Sequence, residues 1–335
     1  MFSPIELKKQ AERSHNERMQ RTLKFRNGPL GRLLLGRLLL SWLLLGWLLL
    51  GVLLAIVPAI AQTSVPAQSP WRSSDGATLS ADTVLNDLSQ ATVVYLGETH
   101  NNLSDHQAQL QIIQSLHQRH AKLAIAMEMF QRPYQAILNQ YLDGKMSETA
   151  MLQQSEYEQR WGFPWEAYAP IVRFAKAQQL PVVALNTPTE VTRKVAQTGL
   201  ASLDAKDRQW IPPLSEIRLD NAAYRQRIQE IYEAIHQGHS GSSGNFDDFF
   251  QAQVLWDETM ADSIASFLKA HSGYQVIVLA GQGHIVYDDG IPSRVARRLQ
   301  DNKNFQQRSL LLNPDEEMRQ QAIADYFWLK PPAEQ

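Results

Sequence analysis

Two apolar runs of β-forming residues each lead directly into a Gly-x-x-His string. Thr92-Val-Val-Tyr-Leu96 precedes Gly97-Glu98-Thr99-His100, and Gln275-Val-Ile-Val-Leu-Ala280 precedes Gly281-Gln282-Gly283-His284. Short apolar runs without polar alternation are the mark of strands buried on both faces. Parallel strands deliver their carboxyl ends to one edge of a sheet, so residues far apart in sequence meet there. The string alone is weak evidence; its placement after strands carries the argument.

Further strand candidates are 92–97, 123–129, 181–186, 275–280 and 307–312, with helical patterns between them. This order predicts an α/β domain over 81–335: a mostly parallel central sheet with helices on both faces and a helical insertion. Ser104-Asp-His-Gln107 has the form of a capping box, and Thr187-Pro188-Thr-Glu190 adds Pro at the first helical position. The insertion falls in 203–270 as two amphipathic segments, near 221–237 and 246–270. Ile228, Ile231, Tyr232 and Ile235 form a stripe on the first. Phe246, Phe249, Phe250, Ile264 and Phe267 form one on the second. Both stripes read as core, and 238–245 between them reads as a flexible tip.

Ahead of this domain, Leu38–Ile60 runs 23 residues without a charge. At 1.5 Å per residue a helix of that length spans about 34 Å, enough for the hydrocarbon of a bilayer. Residues 1–37 carry nine Lys/Arg and three Glu, a net of +6. The positive-inside rule puts that segment in the cytoplasm and the domain beyond the membrane, on the periplasmic side. Ala59-Ile60-Ala61 has the small-x-small form of a signal-peptidase site, so a cleaved signal peptide competes with a retained transmembrane anchor. Residues 61–80, rich in Ser, Pro, Ala and Gln, read as a linker. The remainder of the chain has 23 basic and 31 acidic residues, a net of −8, which argues against nucleic acid as a partner. There is no cysteine, which excludes disulfides, thiolate metal ligands and a lipid-modified Cys.

Four predicted strands end in polar residues: Glu98 and His100, Glu128, Asn186, and His284. His100, Glu128 and His284 form a two-His, one-Glu set suited to a divalent metal such as zinc or manganese, with a coordination position left for water. Glu98 is the spare carboxylate that could act as general base. Each residue has a plainer reading as a cap or packing group. Glu128, set in the apolar run Met127-Glu-Met-Phe130, needs a partner or a shifted pKa in any case. Asn186 serves equally as a turn cap. His106, His117 and His120 read as surface residues of the first helix, and His15, His236, His239 and His271 have no organised context.

The chain resembles the haem-binding uptake family typified by ChaN, within the Tiki/TraB-like superfamily. The matching strings are Leu96-Gly-Glu-Thr-His100, Met127-Glu-Met-Phe130, Tyr168-Ala-Pro-Ile171, Ala184-Leu-Asn186, Ala252-Gln-x-x-Trp-Asp257 with Met260-Ala261, and Gly281-Gln-Gly-His284 with Gly290-Ile-Pro292. The resemblance implies an α/β domain. It also implies an exported, iron-related protein that binds haem through a Tyr, with basic side chains near the propionates and a homodimer enclosing paired haems. Tyr157, Tyr168, Tyr224 and Tyr287 are the candidate ligands by location; phenolate is a hard anion that favours ferric haem. Many relatives carry a lipid-modified Cys, which this chain lacks. The Tiki-like branch implies the alternative, a metal-dependent hydrolase with His100, Glu128 and His284 as ligands and Glu98 as base.

Overall fold

The computed structural model describes residues 69–236 and 245–330. The basic segment 1–37, the apolar run 38–60, its cleavage site and residues 238–244 of the tip lie outside the described residues. Among those described, no helix is long and apolar enough to cross a membrane.

Seven strands form one sheet: β1 Trp71–Ser73, β2 Val93–Glu98, β3 Leu123–Gln131, β4 Val182–Asn186, β5 Gln275–Gly281, β6 Gln307–Leu312 and β7 Tyr326–Trp328. Their spatial order is β1-β7-β6-β2-β5-β3-β4. Every pair is parallel except β1 with β7. The five strands expected from the apolar runs are all present, with ends shifted by a residue or two. The two strands at one side of the sheet, β1 at the edge and β7 next to it, were not expected. Three residues are too few to show a period, and β1 falls in the stretch read as linker.

The inner strands are buried on both faces, and alternate residues serve different cores. Val94, Leu96, Ile125, Met127, Ile277 and Leu279 face one way. They pack against helices α1 (Ala81–Gln90), α2 (Leu103–Arg119), α3 (Gln135–Leu142), α4 (Glu148–Gln154) and α5 (Trp165–Ala177). Val93, Tyr95, Ala124, Ala126, Val276 and Val278 face the other way. A third cluster joins α6 (Thr189–Thr198), α7 (Ala222–His236) and α8 (Phe246–Ala270) through Val191, Val195, Tyr224, Ile228, Phe250 and Val254. Helix α8 also contributes Met260, Ala261 and Ile264 to the second face, beside Ile291 and Val295 of α9 (Ile291–Arg298). Each fully buried aliphatic side chain contributes about 1.5–3 kcal/mol.

Several local expectations differ from the structure. Helix α2 is capped by Asn102, whose Oδ1 accepts from Ser104 N, so Ser104 is not the cap. Asn102 lies one residue before the first helical position, and its short amide completes the turn first. Helix α6 begins at Thr189 behind an extended Pro188 and has no side-chain cap. Ile231 in the α7 stripe is 48% exposed rather than core.

The inner strand β5 is paired on both sides, with β2 and β3. Leu279→Ala should lower unfolding free energy by about 2–5 kcal/mol, from lost transfer energy plus a cavity the packed helices cannot close. Equilibrium denaturation in urea checks this; a loss under about 1 kcal/mol would show that β5 relaxes more freely than its complete burial implies.

Candidate functional site

Register sets the site. Glu98 at the end of β2 stands opposite Gly281 at the end of β5, and β3 pairs with β5 on its other side. The Gly281 N–H donates to Glu128 Oε2 at 2.8 Å, which ties the end of β5 to β3. A Cβ at 281 would sit 3.0 Å from the His100 ring, so any larger residue there would require the ring to shift. Gly290 has the same role one turn on: a Cβ there would lie 2.1 Å from the His284 carbonyl oxygen.

Glu98 is buried and accepts hydrogen bonds from several sides. His100 Nδ1 donates to Oε1 at 2.8 Å, Gln109 Nε2 to Oε2 at 2.6 Å, and the Tyr168 hydroxyl to Oε1 at 2.5 Å. His106 Nδ1 stands 3.4 Å from Oε2. Burial by itself raises the Glu98 pKa, but the hydrogen bonds and charges of His100 and His106 outweigh it and hold the carboxyl at about 2. His106 is 3% exposed and not a surface residue. Its Nε2 donates to the His100 carbonyl oxygen at 3.1 Å, and both ring nitrogens face acceptors. Burial opposes its charge, yet the Glu98 carboxylate raises its pKa above the usual value. His106 lies in the first turn of α2, next to the strand end, so helix position alone did not show its burial. His117 and His120, further along, are half-buried.

The second half of the site has the same form. His284 Nδ1 donates to Asp257 Oδ1 at 2.6 Å, and the Tyr224 hydroxyl donates to Asp257 Oδ2 at 2.5 Å. His284 Nε2 stands 3.6 Å from Glu128 Oε1. Burial lowers the His284 pKa, but the Glu128 and Asp257 carboxylates reverse this and raise it to about 9. His100 shifts up as well: burial opposes it, while the Glu98 hydrogen bond and the Glu128 charge prevail. Two Tyr–carboxylate–His chains therefore meet at Glu128. A carboxylate accepts only, so each Nδ1 carries a proton and each Nε2 is directed to the shared space.

Asp257 was missed as a site residue. Its signal was present: Asp257 and Glu258 interrupt an apolar helix face, and both are fully buried. Glu258 is held by Arg297 and Arg298, at 2.7 Å and 2.6 Å, which locks α8 to α9. Asn186 does not cap its own turn. Its Nδ2 donates to the Glu128 carbonyl oxygen at 3.0 Å and steadies the end of β3. Among the described residues, no group of three or more His, Asp or Glu is arranged to hold a metal ion. His100, Glu128 and His284 come together, but the expected metal set does not follow from their meeting.

The four tyrosines separate sharply. Tyr157 and Tyr168 are buried on one side of the site, and Tyr224 is buried on the other. Tyr287, three residues past His284, is 40% exposed. Its backbone and that of Asp288 are left-handed, with φ of 60° and 58°. Two successive non-glycine residues in that region are strained, a feature that concentrates at functional sites. The Arg227 guanidinium of α7 stands 4.3 Å from the Tyr287 ring centroid.

A parallel α/β domain that gathers carboxylate-held imidazoles at its strand ends is a recognisable class of protein. Within that class, this chain belongs to the haem-binding uptake family of the Tiki superfamily, typified by ChaN, whose model matches residues 84–295. A solved structure described as cofacial heme binding to ChaN of Campylobacter jejuni is 17% identical, with a TM-score of 0.61. The alignment covers 77% of this chain and 95% of that one. At that identity the likeness shows the shared fold. Protein RETICULATA-RELATED 5, chloroplastic, of Arabidopsis thaliana is 25% identical over 266 residues, which is 73% of this chain and 35% of that protein. The chain thus spans about a third of that relative's length.

The His284 charge has a pH signature. Its stabilisation is complete below pH 6.5 and is lost as pH rises through about 9. Denaturant unfolding of the wild type should weaken across that window by on the order of 3 kcal/mol at most. His284→Gln should remove most of the slope, and an unchanged slope in the variant would place the titrating group elsewhere.

Proposed function

We propose that this domain binds ferric haem on its surface and handles it outside the cytoplasm, with Tyr287 as the iron ligand. Family membership supports haem as the ligand, as does the haem named for the ChaN structure of the same fold. The observation that carries the residue assignment is exposure. Porphyrin is a large flat ring, and of the four candidate tyrosines Tyr287 alone is substantially exposed. Its surroundings suit the group. The Arg227 cation stands beside the phenol, and exposed Ile231 lies one helical turn beyond Arg227 on α7. Arg227, whose guanidinium pairs with the Asp289 carboxylate in this structure, is matched in charge to a propionate that would compete with Asp289, and Ile231 is matched to the face of the ring. The phenol supplies a hard anionic oxygen to ferric iron when haem is bound. Membrane attachment or export belongs to the same proposal and rests on the uncharged run 38–60 behind the basic segment 1–37. A homodimer and a role in iron uptake are proposed on the family resemblance alone.

Titration of the protein with ferric haem should give a shifted Soret band and saturable uptake. Tyr287→Phe should lose the phenolate-type spectrum and weaken binding about tenfold or more. Phe at 157, 168 or 224 should leave the spectrum unchanged. Uptake with an identical spectrum in Tyr287→Phe would end the assignment; no uptake by the wild type would end the haem reading.

A second reading rests on the paired Tyr–carboxylate–His chains around Glu128. This arrangement suits acid–base hydrolysis, with the Glu128 carboxylate taking a proton from water and an imidazole Nε2–H giving one to the leaving group. No step through a metal is drawn, because the described side chains do not form a metal-holding group. Glu128→Gln should lower any hydrolysis of an activated aryl ester by about a hundredfold or more. Unaltered turnover would sink this reading and leave haem binding untouched.

A further inference from the structure

A cavity of about 530 Å³ opens at the opposite end of the sheet, where β2 and β5 begin. It lies within the size range of small-molecule sites, roughly 300–1,000 Å³. Its wall includes Gln275, His120, Lys269, Tyr274, Asn302 and Asn304, and no carboxylate. Two of these residues carry buried polar atoms without a hydrogen-bond partner, Gln275 Oε1 and His120 Nδ1. Gln275 is 1% exposed. Its amide nitrogen donates to the carbonyl oxygens of Leu88 and Ala91, at 2.8 Å and 2.7 Å, which settles the orientation of the amide and leaves the oxygen as an unmet acceptor. A buried acceptor in that state is costly and marks a place for a donor.

Charge narrows the ligand further. Helices α1, α8 and α9 all end beside this cavity: the caps Ala91 and Leu299 line it, and so do Lys269 and Ser272 on either side of the α8 cap, His271. Each helix end carries about half a negative charge, which disfavours an anion. Lys269 in the wall disfavours a cation, and no carboxylate is there to offset one. A neutral ligand rich in hydroxyl donors satisfies all three conditions. Planar amides at Gln275, Asn302 and Asn304 and the aromatic ring of Tyr274 are suited to a sugar ring.

We propose that this cavity is a binding site for a neutral sugar of one or two rings, separate from the strand-end site. It is tested with the full-length protein and glucose, maltose and sucrose as probes, by saturation-transfer NMR. At least one sugar should show transfer that saturates in the millimolar range. Asn304→Ala and Tyr274→Ala should each weaken it about tenfold, while His284→Gln at the far end leaves it unchanged. Circular dichroism of each variant confirms that the fold is intact. Transfer that persists unaltered in both cavity variants, or is absent with all three sugars, overturns the proposal. So does a thermal shift with spermidine or inorganic phosphate in place of the sugars.

Discussion

The hydrogen bond from the Gly281 amide to Glu128 is the point on which the strand-end site depends. It joins the end of the inner strand β5 to a carboxylate of β3, in a place where burial makes an unpaired charge costly. With Glu128 held, His284 has a carboxylate on each side, and His100 has Glu98 at hydrogen-bond distance and the charge of Glu128 acting on it. The absence of a side chain at 281 is part of the same device, since any Cβ would press on the His100 ring. The local order of the site thus begins with backbone, and side-chain chemistry is built on it.

Burial and charge act against each other throughout this cluster. Three histidines and three acids are clustered at the strand ends, and for Glu98, His100, His106 and His284 the balance shifts toward the charged form in spite of burial. The reason is pairing at hydrogen-bond distance, with tyrosine hydroxyls adding donors to two of the carboxylates. Networks of this kind rigidify a structure when every member is satisfied. They also resemble the arrangement by which enzymes orient an imidazole, which is why the domain retains a second chemical reading beside haem binding.

The separation of the tyrosines illustrates what exposure decides. Tyr168 and Tyr224 point their hydroxyls at carboxylates inside the protein, and Tyr287 lies outside on a strained turn beside Arg227. In sequence all four were equivalent. The surface they offer to a flat ligand is a property of packing, because a residue's neighbours come from α7, α8 and the turn after β5, which are far apart along the chain.

Strand positions were legible in the sequence because burial on both faces leaves a continuous apolar run, and such runs survive at 93–98, 123–131 and 275–281. The meeting of Glu98, His100, Glu128 and His284 was legible too, since parallel strands share one rim. The partners of those residues were not. Asp257 lies in the middle of a helix, His106 seemed a solvent-facing residue, and Tyr168 and Tyr224 sit on helices from different parts of the chain. Composition and local periodicity determine which segments bury themselves and in which form. Which helix lies over which strand end, and so which carboxylate fixes which imidazole, was decided only by tertiary packing, because hydrogen bonds a few ångströms long depend on distances that no local pattern encodes.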